Sequence, residues 1–196
     1  MKKIILASGS PRRQQLLHQA GIPHQVLVSG ADETVTGPPA GQVKALALRK
    51  ATAVLSLLNP AEKNAVIIAA DTLVFIGDEA LSKPESPQEA FDMLQKLQGN
   101  THTVYTGVAL IDTGTGRQHV FAEAAQVTFR PLAEDEIWAY IATGEPFDKA
   151  GAYGIQEKGA TLIDRINGDF YTVMGLPISK VCTALGGMGY DYWHRG

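Results

Sequence analysis

The chain has 196 residues, of which 45% are hydrophobic, and it carries a formal net charge of −3 at pH 7. This hydrophobic content is enough for a buried core and excludes an extensively disordered chain, while the lack of a basic charge excess argues against nucleic acid as a main partner. The only cysteine, Cys182, excludes an intramolecular disulfide and a multi-cysteine zinc site. Because a single cysteine suits a reducing compartment, and we find neither an apolar run of membrane-spanning length nor a secretory signal, we expect a cytoplasmic protein without a membrane partner.

The first part of the chain alternates between short apolar runs and helical patterns. We predict, in chain order, a strand over residues 4–7, a helix over 11–20, a strand over 25–28, a helix over 42–58 and a strand over 65–70. Strands that alternate with helices are typical of βαβ units, so we expect a sheet that is parallel at least in part.

The middle of the chain adds strands that are close neighbours in sequence. A strand over 73–76 turns at Gly77-Asp78, and Ser86 with Pro87 begins a helix that ends near Gly99. Two β-rich runs follow, over 104–111 and 119–129, and the glycine-containing turn between them predicts a long hairpin. The sheet is therefore predicted to be mixed.

The last part of the chain contains two more predicted helices. The first covers 134–143, with Ile137, Trp138 and Ile141 on its apolar side, and the second covers 177–185. Between them we predict an irregular glycine-rich segment over 146–156 and strands over 161–166 and 170–174. No linker separates independent parts, so we expect one domain over residues 1–196.

The most informative segment is Ser8-Gly9-Ser10-Pro11-Arg12-Arg13, because Ser10 as N-cap and Pro11 at the first helical position predict a helix start. That places Arg12 and Arg13 at the end of the helix that carries partial positive charge, where cations are disfavoured. A bound phosphate or carboxylate would compensate, with hydroxyl groups from Ser8 and Ser10 as further ligands. The alternative is a solvated arginine pair that points away from the helix end.

Asp71 follows a buried apolar run, which places it at the carboxyl end of the predicted strand 65–70. Ligands of open α/β sheets bind at that edge, so a carboxylate there, next to Thr72, could hold a divalent cation or orient a water molecule. The alternative is a residue that only terminates the strand. Asp32 and Glu33 form a second acidic pair, which alone would be a pair of solvated loop charges.

Lys50, on the predicted helix 42–58, and Lys83, in a loop before Pro84, could each neutralise a phosphate as a compact charge. Alone, each is equally typical of an ordinary surface lysine. The small-residue segment 148–156 permits close approach of backbone to a ligand, although its glycines also suit a tight connection.

Taken together, these segments resemble the Maf family of nucleoside triphosphate pyrophosphatases over nearly the whole chain. The matching stretches are Ala7-Ser8-Gly9-Ser10-Pro11-Arg12-Arg13, Leu48-Arg49-Lys50-Ala51, Ala70-Asp71-Thr72, Lys83-Pro84, Tyr105-Thr106-Gly107-Val108, residues 148–156 and Gly175-Leu176-Pro177. The resemblance implies the inosine triphosphate pyrophosphatase fold: an α/β protein with a mixed, partly parallel twisted sheet, flanking helices and two lobes around a central cleft. It also implies a homodimer.

The resemblance is to the branch that acts on dTTP and UTP and implies hydrolysis to the monophosphate and pyrophosphate. It associates Arg12, Thr72 and Gln156 with choice of substrate, and Asp71 with catalysis as the proton acceptor. The chemistry so implied assigns phosphate binding to Ser8, Arg13, Lys50 and Lys83, and a divalent cation, Mg²⁺ or Mn²⁺, to Glu33 and Asp71. Asp71 cannot be both a committed metal ligand and a free base, and we favour the base, with Glu33 as the firmer ligand.

The chain departs from the family pattern at Glu157, where relatives often carry a glycine after the glutamine, and at Ser82, where a glycine is common. Two other functions remain open. The second Maf branch acts on 7-methyl-GTP, but the set of Arg12, Thr72 and Gln156 argues against it. A noncatalytic nucleotide- or RNA-binding regulator, for example in septum formation, would not need Asp71 and Glu33.

Overall fold

The computed structural model describes residues 2–59, 64–191 and 193. These residues form seven strands and six α-helices: β1 Lys3–Leu6, α1 Pro11–Gln19, β2 Gln25–Val26, α2 Pro39–Leu57, β3 Ala65–Ile76, β4 Glu79–Leu81, α3 Pro87–Leu97, β5 Thr101–Asp112, β6 Gln118–Phe129, α4 Glu134–Ile141, β7 Ile163–Asn167, α5 Phe170–Met174 and α6 Ile178–Gly187. Short 3-10 turns cover Glu145–Asp148, Ala150–Ala152 and Glu157–Leu162. None of the described helices is long and apolar enough to cross a membrane.

The strands form one mixed sheet in the order β2-β1-β3-β5-β6-β7, with β4 paired to β3. β1 is parallel to both β2 and β3, and Leu6 is the last of its residues in register with β3, opposite Ile68. β4 is antiparallel to β3, and β7 is antiparallel to β6. The predicted α/β fold with a mixed, partly parallel sheet is confirmed.

The chain divides into two compact units that share its long strands. The first unit is Met1–Asp71, Thr106–Glu123 and Gly175–Gly196, and the second is Thr72–Tyr105 and Ala124–Met174. Neither unit is a continuous stretch of chain. The single domain over 1–196 stays a prediction.

In the first unit, α2 packs on the sheet through small side chains. Ala47 and Ala51 of α2 share a buried cluster with Ile5 of β1 and with Ile67 and Ala69 of β3. Ile67 and Ala69 are two residues apart on β3 and point to the same face, because every second side chain of a strand does so. The helix runs very close to β5 at Gly107.

Gly107 is where only glycine fits between β5 and α2. A Cβ atom at this position would lie 2.2 Å from both the carbonyl carbon and the carbonyl oxygen of Val43. Because both atoms belong to the backbone, neither can rotate away. The contact therefore sets the height of α2 above the sheet, and with it the position of every side chain that α2 carries.

The core of the second unit contains a buried histidine. His102 of β5 is 2% exposed, and its Nε2 lies 2.7 Å from the hydroxyl oxygen of Tyr153. The two rings and Phe129 contact one another edge to face. Within the described residues, Nδ1 of His102 has no hydrogen-bond partner. Burial lowers the pKa of His102 to about 4, so the ring is neutral at pH 7.

Two predictions in the second unit were wrong. Residues 170–174, predicted as a strand, form α5, because the Asp169 carboxylate accepts hydrogen bonds from the backbone N–H groups of Tyr171 and Thr172 and so caps a helix. On α4, the buried aromatic residue is Tyr140 rather than Trp138. Trp138 is 40% exposed and stacks on Phe91 at the surface.

Candidate functional site

Asp71 does not end its strand, contrary to the sequence prediction. β3 continues to Ile76 because residues 73–76 are apolar and β-forming, and they pair with β4 from Val74 onward. Pairing with β1 has already ended at Ile68. Asp71 therefore lies between the part of β3 that pairs with β1 and the part that pairs with β4. It is the last residue of the first unit.

Lys50 of α2 joins the two carboxylates that the sequence singled out. Its Nζ donates a hydrogen bond to Oδ1 of Asp71 and lies 2.7 Å from Oε1 of Glu33. The side chains of Lys50 and Asp71 are 18% and 12% exposed, whereas that of Glu33 is 67% exposed. One ammonium thus holds a buried and a solvent-facing carboxylate together.

A neighbouring arginine tethers the loop that carries Glu33. Nη1 of Arg49 donates hydrogen bonds to the carbonyl oxygens of Asp32, at 3.5 Å, and Thr34, at 2.5 Å. Asp32 itself accepts a hydrogen bond from the backbone N–H of Thr34 at 2.9 Å. The predicted acidic pair is therefore split, since Asp32 shapes the turn while Glu33 contacts Lys50.

Arg13 is fixed at the first turn of α1 by two hydrogen bonds. Its Nη1 donates to Oγ of Ser8 at 2.9 Å, and its Nε donates to the carbonyl oxygen of Gly175 at 2.8 Å. Oγ of Ser8 also accepts from the backbone N–H of Ser10 at 3.3 Å. Ser10 occupies the N-cap position as predicted, but among the described residues its hydroxyl makes no capping hydrogen bond.

The charges around Arg13 belong to one electrostatic group. The pKa of Arg13 is lowered to about 10, mainly by burial and in part by the charge of Arg12, while Asp71 and Glu33 act in the opposite direction. At pH 7 the guanidinium stays charged. The first unit therefore brings Ser8, Arg12, Arg13, Glu33, Lys50 and Asp71 together, and a helix N-terminus with two arginines suits an anion.

The donor set fits a hard divalent cation that shares its shell with a substrate. Among the residues that the structure describes, no group of three or more His, Cys, Asp or Glu side chains could form a complete metal site. Glu33 and Asp71 still offer carboxylate oxygens, and both side chains contact Lys50. Mg²⁺ is typically held by one or two carboxylates together with waters and substrate phosphates, which matches this pair.

The remaining candidates, Thr72, Lys83 and Gln156, belong to the second unit. Thr72 is half-buried on β3, Lys83 is exposed after β4, and Gln156 is half-buried at the start of the 3-10 turn Glu157–Leu162. Glu157, the departure from the family pattern, has φ +55, in the left-handed region. That conformation favours glycine, which explains why a glycine suits this position.

The partners that hold these side chains are not among the residues predicted from the sequence. The carbonyl of Gly175 was treated only as part of a helix start, although it accepts from Arg13. Tyr140 and Glu145, which bind the backbone on both sides of Gln156, were not singled out at all. The signal for Glu145 was its place between Gly144 and Pro146, which predicts a helix stop followed by a fixed turn.

Glu145 also lines a cavity of about 580 Å³, together with Thr143, Gly144, Asp148, Lys149, Glu157 and Lys158.

Comparison with known proteins places the chain in a family. The dTTP/UTP pyrophosphatase of Moorella thermoacetica is 49% identical over 197 residues, which cover 100% of both chains. The dTTP/UTP pyrophosphatase of one Bacillus cereus strain is 48% identical, over 99% of this chain and 94% of that protein, and the Bacillus anthracis protein of the same name is 47% identical over 99% of this chain. A family model described as Maf-like protein matches residues 3–188. The chain therefore belongs to the Maf family.

Proposed function

We propose that this protein hydrolyses dTTP and UTP to the nucleoside monophosphate and pyrophosphate, by attack of water on the α-phosphorus. The observation that carries the proposal is the arrangement of Lys50, Asp71 and Glu33, with one ammonium between two carboxylates. In the same unit, Arg13 and Ser8 offer donors for phosphate at the start of α1. The names of the full-length relatives support the same substrates.

In this mechanism Asp71 takes the proton of the attacking water. Its carboxylate lies on β3, inside the sheet, and is held at Oδ1 by Lys50, which fixes the geometry that a general base requires. Arg13, Ser8 and Arg12 bind phosphate oxygens and stabilise the charge that develops on the leaving pyrophosphate. Lys83 adds a further charge for the phosphates.

Glu33 would be the firmer ligand of a divalent cation, Mg²⁺ or Mn²⁺, and Asp71, as the base, would contact the cation without being committed to it. When bound, the cation would neutralise charge on the pyrophosphate. Because Lys50 binds the same two carboxylates, its ammonium competes with the cation for them. Lys50→Gln should therefore bind Mn²⁺ more tightly than the unchanged protein without nucleotide, as measured by calorimetry, and weaker or equal binding would contradict the competition.

Base selection is assigned to Gln156, Thr72 and Arg12. The amide of Gln156 offers one donor side and one acceptor side, the complement needed at the edge of a uracil or thymine ring. A site that hydrogen-bonds its substrate rejects a base with a different pattern, because buried polar groups would be left unpaired.

We also propose that the protein is a homodimer in the cytoplasm and does not act on nucleic acid.

The test is a panel of dTTP, UTP, dCTP, dGTP and 7-methyl-GTP with Mg²⁺ or Mn²⁺, in which pyrophosphate and orthophosphate are measured separately. We expect the highest kcat/KM for dTTP and UTP, pyrophosphate as the product, and no turnover after removal of divalent cations with EDTA. Orthophosphate with a diphosphate product would refute attack at the α-phosphorus. A preference for 7-methyl-GTP would assign the other branch, and binding without turnover would assign a regulator.

A further inference from the structure

The segment that contains Gln156 is bound on both sides by two side chains of α4 and the turn after it. The hydroxyl of Tyr140 accepts a hydrogen bond from the backbone N–H of Gly154 at 3.2 Å and donates one to Oε1 of Glu145 at 3.1 Å. Glu145 in turn accepts from the backbone N–H groups of Lys158, at 3.2 Å, and Gly159, at 3.1 Å. We call this pair, Tyr140 and Glu145, the loop brace.

The loop also closes on itself between the residues that the brace holds. A Cβ atom on Gly159 would lie 2.1 Å from the carbonyl oxygen of Gly154 and 2.8 Å from the Tyr140 hydroxyl. The backbone at 154 and at 159 therefore meets at one point beside the brace. Gln156 lies in the closed segment between these two positions.

This segment includes a strained residue. Glu157 has φ +55 although it is not glycine. Such a conformation costs about 1–3 kcal/mol and persists only where the surrounding structure determines it. The surrounding structure here is the brace, which makes four hydrogen bonds, three of them to backbone N–H groups within three residues of Glu157.

We propose that Tyr140 and Glu145 are positioning residues for base selection, because they set the orientation of the backbone from which Gln156 extends. The inference rests on the proposed function, in which Gln156 reads the base. An amide has distinct donor and acceptor sides, so its selectivity depends on a fixed orientation toward the ring edge. A loop that can rotate would let the amide accept bases of either pattern.

The test compares kcat/KM for dTTP and dGTP in Glu145→Ala, Glu145→Gln and Tyr140→Phe. Glu145→Ala removes the acceptor of two backbone N–H groups and should let the loop move by a fraction of an ångström. We expect this displacement to lower the dTTP-to-dGTP ratio on the order of tenfold. Tyr140→Phe removes one hydroxyl from a buried ring and should lower it about threefold, as expected for a lost hydrogen bond. Glu145→Gln keeps one acceptor oxygen, so its dTTP-to-dGTP ratio should lie between those of the unchanged protein and Glu145→Ala.

A ratio is the informative measurement because partial unfolding lowers the rate for every nucleotide equally. The matched control is Glu136→Gln, at the other end of α4. Glu136 also binds a backbone N–H, that of Ala133 at 3.0 Å, and it pairs with Arg130 at 2.7 Å. Arg130 contacts the carbonyl oxygen of Thr161, which lies beyond the closed segment 154–159. This variant should keep the dTTP-to-dGTP ratio of the unchanged protein.

Hydrogen exchange gives a second measurement that does not depend on turnover. The backbone amides of residues 154–159 should exchange faster in Tyr140→Phe and Glu145→Gln than in Glu136→Gln. If Gln156→Ala lowers the ratio but all three brace variants retain it, the positioning role is refuted while the proposed function stands. If Gln156→Ala itself leaves the ratio unchanged, Gln156 does not read the base and the brace cannot position it. If dTTP and UTP release no pyrophosphate, the proposed function fails first.

Discussion

Lowering the pH from 7 to 5 should destabilise the protein through His102. The ring is buried against Phe129 and Tyr153, and its pKa falls from the ordinary value of 6.5 to about 4. In the unfolded chain the same ring takes up a proton near pH 6.5. Between pH 6.5 and pH 4 the unfolded state therefore binds more protons than the folded state, so stability is present above this window and is lost as the pH falls through it.

The magnitude follows from the two pKa values. The complete difference corresponds to about 3 kcal/mol, and roughly 2 kcal/mol of it is lost between pH 7 and pH 5. Folding also lowers the pKa of some carboxyl groups, such as that of Asp112. Their protonation destabilises the folded protein as well, at lower pH. A variant that removes only the imidazole is needed to separate the two contributions.

The assay is urea unfolding at pH 7 and pH 5, followed by circular dichroism, on the unchanged protein and on His102→Gln. Glutamine can still hydrogen-bond the Tyr153 hydroxyl but does not titrate. The unchanged protein should lose about 2 kcal/mol more than the variant between these pH values. Equal losses in both proteins would refute the assignment of the acid sensitivity to His102.

Three further substitutions test other parts of the structure. Asp71→Asn should lower kcat at least ~10²-fold, as expected for removal of a general base, in the pyrophosphate-release assay. Gly107→Ala should destabilise the protein by roughly 3 kcal/mol in urea unfolding, because its Cβ atom would overlap the backbone of Val43. Glu157→Gly should raise stability by about 1 kcal/mol, measured as a higher Tm, because glycine adopts positive φ without strain.

Two of these substitutions have a control within the chain. Asp112→Asn alters another buried carboxylate of the first unit, one that pairs with Lys2 at 2.5 Å, and it should lower stability but retain kcat. Gly186→Ala adds a methyl group where no described atom other than the adjacent residues and the backbone of its own helix lies within 4 Å, and it should be tolerated. Full activity of Asp71→Asn, normal stability of Gly107→Ala or a lower Tm of Glu157→Gly would each contradict its prediction.

Local signals predicted the start of several elements correctly. Pro11 begins α1, and Ser86 caps α3 by accepting a hydrogen bond from the backbone N–H of Glu89 at 3.2 Å. The end of β3 could not be found in the same way, because Asp71 is a residue that commonly ends a strand. What extends the strand is pairing of its later residues with β4, and that pairing depends on the fold.

Propensity was misleading where a side chain decided the outcome. Residues 170–174 include aromatic and β-branched side chains that favour a strand. The Asp169 carboxylate binds the backbone N–H groups of Tyr171 and Thr172 and makes a short helix instead. An aspartate after Asn167-Gly168 is a recognisable cap, so the sequence does contain a signal for this helix start.

The residue types of the candidate site were recognisable, but their contacts were not. Lys50 was assigned to phosphate because a lysine on a helix gives no indication of its partners, and in the structure it binds Asp71 and Glu33. Its role toward phosphate stays a prediction. Similarly, one acceptor of Arg13 is a main-chain carbonyl 162 residues further along the chain, which no local pattern indicates.

That long-range contact has a consequence for biosynthesis. The segment from Gly175 onward completes the first unit, and three basic side chains from earlier in the chain bind its carbonyl oxygens: Arg13 binds Gly175, Arg117 binds Gly187 and Lys2 binds Met188. A ribosome delivers this segment after all of the candidate residues. A chain that stopped before it would already contain Gln156 and every other candidate residue, yet Nε of Arg13 would lack the Gly175 carbonyl as its acceptor. Premature termination would therefore yield a polypeptide with all the candidate side chains but an unfinished first unit.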